Sequence, residues 1–387
     1  MLSISRRDAL HQLAAVGAAA STAVACKPPG EGQSTMATPV LAPAPVAAPV
    51  VDPVVRVLPL GMPWPTPDPF LFCVHHEDHY PASAGQFGPA SEQLAGRDMG
   101  QDFGRKDGWS MYHGMQVPGF PSHPHRGFET VTVTRRGVVD HADSMGAAAR
   151  YGDGDVQWLT AGRGIQHAEM FPLLHEDKPN PMELFQIWLN LPAADKMVAP
   201  YFKMLWGPTV PHLTMHDTAG RMTELAIVAG QLGTTRPPAP PPNSWASKPD
   251  TDVAIWTLKM APGAQWTLPA AKPGTNRMLY FYRGQAMQMG PTAIPALRAV
   301  ELKGSVDVVL SNGPDVAELL LLQGRPIGEP VAQFGPFVMN TQQQIQQAYA
   351  DYQRTRFGGW PWPSSAPVHG SQGRFARQPD GTVERAG

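Results

Sequence analysis

Cysteine is almost missing from this chain, with only Cys26 and Cys73 among 387 residues, which excludes a disulfide-stapled scaffold. Charge is scarce too. Charged residues make up 16% of the chain and the net charge is -2, so there is no electrostatic footprint for nucleic acid. The apolar stretch near the N-terminus is too short and too alanine-rich to compete with a true membrane span. Clear helical periodicity is confined to Thr341–Phe357, where Thr341 can cap and Ile345, Ala348, Tyr349 and Tyr352 recur at helical spacing. Histidine is sparse in the later half, with His212 and His216 at its border and His369 near the end. What the chain has in quantity is proline and glycine, 43 and 38, in clusters. Hydrophobic residues at 42% permit ordinary cores, and the length suits two domains.

The first 26 residues read as an address. Paired Arg6-Arg7 precede an alanine-rich apolar stretch that ends in small residues before Cys26, the layout of a Tat-type export signal. The expected location is the periplasm. Small residues leading into Cys26 resemble a lipoprotein cleavage box, which would acylate that cysteine and attach the chain to a membrane; a Cys26–Cys73 bridge is the other reading. The Tat route carries folded proteins, so a metal can be loaded before export. Residues 27–64 are rich in Pro, Ala and Val and read as an extended linker. A second proline run, Arg236–Pro242, reads as a loop insertion.

Short β-rich runs fill the interval between these landmarks, among them Glu129–Thr134, Asp155–Leu159, Leu184–Leu189 and Val253–Leu258. Their spacing and turn signals predict an all-β barrel or sandwich. Two segments carry the chemistry. Side chains two apart on a strand share a face, so His123 and His125 can point to one place, and so can His167 and Glu169. Three imidazoles and a carboxylate in one barrel would hold a divalent transition metal, and open positions favour non-haem iron.

The halves echo each other. Setting Arg136-Gly137 over Arg283-Gly284 places His123 and His125 opposite Ala270 and Lys272, and Glu129 opposite Asn276. One metal site, in the first half, is predicted.

Three blocks carry a resemblance: His123–Thr132; Asp155–Ile165 with His167 and Glu169; and Gly335–Thr341 followed by a helix. They resemble the pirin family, a branch of the cupins built from two β-barrels, over roughly Pro69–Phe357. The resemblance implies a bicupin: an N-terminal barrel at 65–215 with the metal, a C-terminal barrel at 216–340 without ligands, and a short helix with a flexible tail at 341–387. It also implies Fe(2+), other divalent metals being open, held by His123, His125, His167 and Glu169. In other cupins a glutamate placed as Glu129 is the ligand, and strand alternation would put Glu129 on the inner face. The pirin pattern gives that role to Glu169 and leaves Glu129 as support behind the site.

The implied activity is a dioxygenase that oxidises a flavonol such as quercetin, or a related enol-bearing aromatic, with O2, Glu169 serving as the base. The competing reading is a non-catalytic metal- or redox-sensing protein, and a third is a structural cupin with a vestigial metal. A monomer is implied. Trp158, Phe128 and Met170 read as core lining. Arg126 either steers an anionic substrate or pairs with a carboxylate. His75, His76 and His79 read as strand edge and loop rather than a second metal site. The insertion between Ala82 and Pro118 enters just before the ligand strand and would reshape the pocket mouth.

Overall fold

The computed structural model describes residues 51–386. The expected export signal, Cys26 and most of the expected proline-rich linker lie outside them. Strand β1 (Val54–Pro59) opens this part. The first barrel runs through β2 (Phe70–Tyr80), β3 (Gly119–His125), β4 (Phe128–Arg136), β5 (Val138–Asp143), β6 (Ala148–Gly152), β7 (Val156–Thr160), β8 (Ile165–Met170), β9 (Asn180–Asn190) and β10 (Tyr201–Leu205), with the short helix α1 (Ser91–Leu94) in the insertion. The second barrel comprises β11 (His212–His216), β12 (Met222–Ala229), β13 (Ala254–Met260), β14 (Gln265–Leu268), β15 (Asn276–Arg283), β16 (Ala286–Met289), β17 (Thr292–Pro295), β18 (Arg298–Leu302), β19 (Val308–Asn312) and β20 (Ala317–Gly324). A hairpin of β21 (Ala332–Phe334) and β22 (Phe337–Met339), helix α2 (Gln342–Thr355), β23 (Phe375–Arg377) and β24 (Val383–Arg385) follow.

Each barrel is two sheets folded over a core, and the orders β3-β8-β5-β6 and β2-β9-β4-β7 of the first recur as β14-β19-β16-β17 and β13-β20-β15-β18 in the second. The first has walls β10-β7-β4-β9-β2 and β24-β23-β6-β5-β8-β3; the second has β1-β18-β15-β20-β13-β12-β11 and β14-β19-β16-β17. The places of the ligand strands β3 and β8 are thus taken in the second barrel by β14 and β19, whose sequences QWTL and VVLSN hold no histidine. Leu268, Val308 and Leu310 there join Phe281, Leu319 and Leu321 in a filled apolar interior.

Strand β4 shows how sequence sets the site. Its alternating Thr and β-branched or aromatic residues suit a strand buried on both faces. Thr132 looks into the first barrel, towards Glu169. Val131 and Val133 pack instead with Ile255, Met278, Tyr280, Leu320 and Leu322 of the second barrel, in one core that also takes Trp158 and Cys73. Each fully buried leucine contributes about 1.5–3 kcal/mol. The Arg135, Arg283, Glu77 and Glu318 ion pairs at the edge of this interface are part-exposed and worth roughly 0–1 kcal/mol each. Apolar packing therefore dominates the joining of the barrels.

Three expectations are corrected. The linker does not run to residue 64: Val54–Pro59 pairs with β18 as an edge strand of the second barrel. The first barrel ends before residue 215, since His212–His216 pairs with β12. The tail is ordered rather than flexible. Phe375–Arg377 extends the ligand-bearing sheet by pairing with β6, the Ser122 N–H donates to Ser365 O at 2.7 Å, and the Trp362 indole donates to Asp143 O at 2.8 Å. An exposed sheet edge offers unpaired backbone groups, and a Gly- and Pro-rich segment can satisfy them.

One buried ion pair anchors this strap. Arg150 donates to both oxygens of Asp140 at 2.7 Å, and its remaining donors meet Gly370 O and Gln372 O at 2.8 and 2.6 Å. Replacing Arg150 by Met leaves the buried Asp140 carboxylate without its countercharge, with only the His369 N–H at 2.8 Å to meet it. Chemical denaturation of the variant should show a loss of about 3–5 kcal/mol; an unchanged midpoint would contradict the assignment.

Candidate metal centre

His123 of β3 lies directly across from His167 of β8, with His125 opposite Ile165. Their ring nitrogens come within 4.8 Å of one another, with ring centroids 4.5 and 4.8 Å from that of His167. The His123 Nδ1–H donates to Pro121 O at 2.9 Å, which leaves Nε2 with its lone pair. No hydrogen-bond partner reaches His125 Nδ1 or either nitrogen of His167, although all are buried. Burial pushes His123 down to about 4 and holds His125 and His167 well below the usual imidazole range, with the neighbouring imidazoles adding to the effect. Buried, unsatisfied nitrogens on His125 and His167, beside the free Nε2 of the half-buried His123, are costly unless an electrophile meets them. They fit a divalent transition metal.

Glu169 sits at the edge of this group. Its carboxylate is 3.9 Å from His167 Nε2 but does not join the tight cluster of three. It accepts from the Gln186 amide at 3.1 Å, from Thr132 Oγ1 at 2.9 Å and from the Tyr151 hydroxyl at 3.4 Å. Burial raises its pKa against the pull of His141 and these donors.

Glu129 is not behind the site, and that expectation is corrected. Its carboxylate accepts from Thr160 Oγ1 at 2.6 Å and from Ser244 Oγ at 2.5 Å, on the side facing the second barrel. The loop after the second proline run delivers Ser244 to it. The reason lies between the strands: Gly127 has a φ of +87°, and a Cβ there would lie 1.9 Å from Val338 O. This left-handed corner moves the chain from one sheet to the other, so counting by twos from His125 to Glu129 fails.

Other residues gather unannounced. His141, opposite Glu169 on β5, and Asp143, opposite His167, share the inner face. His141 Nε2 is 3.2 Å from Asp143 Oδ2, and both residues are fully buried. The signal was present as another His-x-Asp spacing by two. Phe128 and Trp188 pack edge-on against His125, and Met170 is buried as expected of core. Arg126 is buried and paired with Asp351 of α2 at 2.8 Å, with Phe357 against its guanidinium; it clamps the helix rather than facing the cavity.

A mostly apolar cavity of about 480 Å³ opens onto His123, His125 and Glu169. Phe72, Phe120, Leu184, Gln186 and Trp188 line it, with His76 from β2 and His113 from the insertion. The segment holding His75, His76 and His79 is the continuous edge strand β2, not strand and loop. Alternation turns His75 to Glu183, 3.1 Å away, and His76 to the cavity. A volume of this size accommodates a small organic ligand.

Two barrels of this construction, one filled and one with clustered imidazoles beside a cavity, define a bicupin with a candidate metal centre. The sequence pattern of Pirin matches residues 68–189, and that of the Pirin C-terminal cupin domain matches 255–358. A Pseudomonas aeruginosa protein provisionally named quercetin 2,3-dioxygenase is 35% identical over 243 residues, 62% of this chain and 80% of its own. Human pirin is 34% identical over 256 residues, 64% of this chain and 80% of its own. The chain belongs to the pirin family. A crystal structure of quercetin 2,3-dioxygenase from Acinetobacter baumannii matches with a TM-score of 0.60 at 26% identity, covering 76% of this chain and 87% of that one.

Proposed function

We propose that this chain is a pirin-type dioxygenase with one iron held by His123, His125 and His167, acting on a flavonol or related enol-bearing aromatic with O2. The observation that carries the reading is the juxtaposition of three clustered imidazoles, with unpartnered nitrogens on His125 and His167, and an apolar cavity. A bound ion would supply open coordination positions and lower the pKa of a substrate hydroxyl. The chain's own residues do the rest. Phe120 and Trp188 offer planar aromatic surface and Leu184 an aliphatic one, and the barrel wall keeps water away. Glu169, held by Gln186, Thr132 and Tyr151, stands beside His167 with a carboxylate to take the hydroxyl proton. Glu169 is also the candidate fourth ligand, and its carboxylate lies 3.9 Å from His167 Nε2.

The N-terminal signal supports a further part of the proposal: export by the Tat route to the periplasm, with Cys26 as an acylation site. Resemblance to pirins supports a monomer.

Oxygen consumption with quercetin tests the reading. Iron-loaded protein should consume O2 in proportion to quercetin lost, and a His125→Ala control should not. No uptake under any metal loading would favour the non-catalytic metal- or redox-sensing alternative that human pirin's family allows.

A further inference from the structure

Two histidines lining the cavity, His76 and His113, have their hydrogen-bonding direction set by the protein. The Tyr112 hydroxyl donates to Asp78 Oδ2 at 2.8 Å. With its proton so placed, the Tyr112 oxygen can only accept from His76 Nδ1, also 2.8 Å away. Burial pushes the Asp78 carboxyl up to about 6, against the hydrogen bonds of Tyr112 and Ser110, so it is ionised and accepting at neutral pH. His113 reaches the same state by another route. Its Nδ1 lies 2.7 Å from Gly100 O, which can only accept.

In neutral imidazole, a proton on Nδ1 leaves Nε2 a bare acceptor. Both residues line the cavity, and no hydrogen bond engages either Nε2 among the described residues. Phe120 neighbours both of them and also His123 of the metal cluster. Its ring is 6.0 Å from His76, 5.7 Å from His113 and 6.3 Å from His123, centroid to centroid. A planar ligand lying along Phe120 would have one end at the imidazole cluster and the other at these two acceptors.

We propose that His76 and His113 are specificity-determining residues that accept hydrogen bonds from hydroxyl groups on the end of the substrate remote from the metal-binding group. The inference rests on the flavonol reading above and narrows it: the substrate class is a neutral planar aromatic with free phenolic hydroxyls at its distal ring. Charged or distally unsubstituted rings fit less well, because an apolar wall with two fixed acceptors gives an anion no donor and an unsubstituted ring no partner. Tyr112 and Asp78 are positioning residues for His76.

Calorimetric binding to metal-loaded protein under nitrogen separates recognition from turnover. The probes are quercetin and galangin, which share the metal-binding head and differ only in the distal-ring hydroxyls. Wild type should bind quercetin about tenfold or more tightly than galangin, the scale of one or two neutral hydrogen bonds. In a His76→Asn, His113→Phe double variant, where asparagine keeps the contact to Tyr112, that ratio should collapse towards unity. His113→Gln, which restores a polar atom near the Nε2 position, should recover part of it. Equal binding of both flavonols by wild type, binding of neither, or a ratio that persists in the double variant overturns the proposal. A His-dependent ratio without any O2 uptake upholds it and instead sinks the dioxygenase reading.

Discussion

Replacing His167 by alanine is expected to strip the protein of its metal, from about one ion per chain to background, and oxygen uptake with it. His167 is the imidazole both others face, and its two nitrogens have no other partner. Losing a residue behind a ligand typically costs roughly 10–100-fold in affinity or activity; losing a ligand from a set of three should cost more. Misfolding would be the trivial explanation, and the structure argues against it. The variant removes two buried, unsatisfied polar atoms, which relieves about 1–3 kcal/mol each, while the space it opens costs a comparable amount. Metal-free wild type and metal-free His167→Ala should therefore melt within a few degrees of each other, on the order of what 1 kcal/mol shifts in a domain this size. Adding metal should raise the melting temperature of wild type alone. A variant that retains stoichiometric metal would contradict the assignment.

Glu169→Gln carries the second large effect. The substitution keeps the shape of the side chain and an oxygen for Thr132 or Tyr151, but removes the carboxylate. If Glu169 takes the substrate proton, kcat should fall by about 10²–10⁴-fold, the usual worth of a positioned general base, with metal content unchanged. Retained activity would refute the base. Lost metal would show that the carboxylate, 3.9 Å from His167 Nε2 here, closes onto the ion as a ligand. Elemental analysis of the same preparation used for kinetics separates these results.

How much of this was legible in the chain follows from which forces act locally. The His123/His125 and His167/Glu169 pairs were readable because the two-residue period of a strand is local geometry. The Thr341 cap was readable for the same reason, and its side chain accepts from Gln344 N while Gln344 reaches back. Glu129 was misplaced because one left-handed glycine switches the chain between sheets, and period counting is blind to a corner. Val54–Pro59 was hidden in a proline-rich stretch; its partner lies some 245 residues on, at Arg298–Leu302, a pairing no local pattern discloses. The tail misled by composition, since its order comes from the β6 edge and from Arg150 rather than from its own residues. His76 and His113 were unreadable as a pair, because only the folded insertion brings residue 113 to the cavity that β2 lines.

The central claim is that three imidazoles of the first barrel share one ion. Anomalous diffraction from crystals of protein purified without added metal, collected on either side of the iron absorption edge, tests it most directly. The account predicts a single strong peak among the nitrogens of His123, His125 and His167, and no comparable peak in the second barrel. Imidazoles with no anomalous density between them after iron loading, or a peak bound elsewhere in the chain, would contradict it.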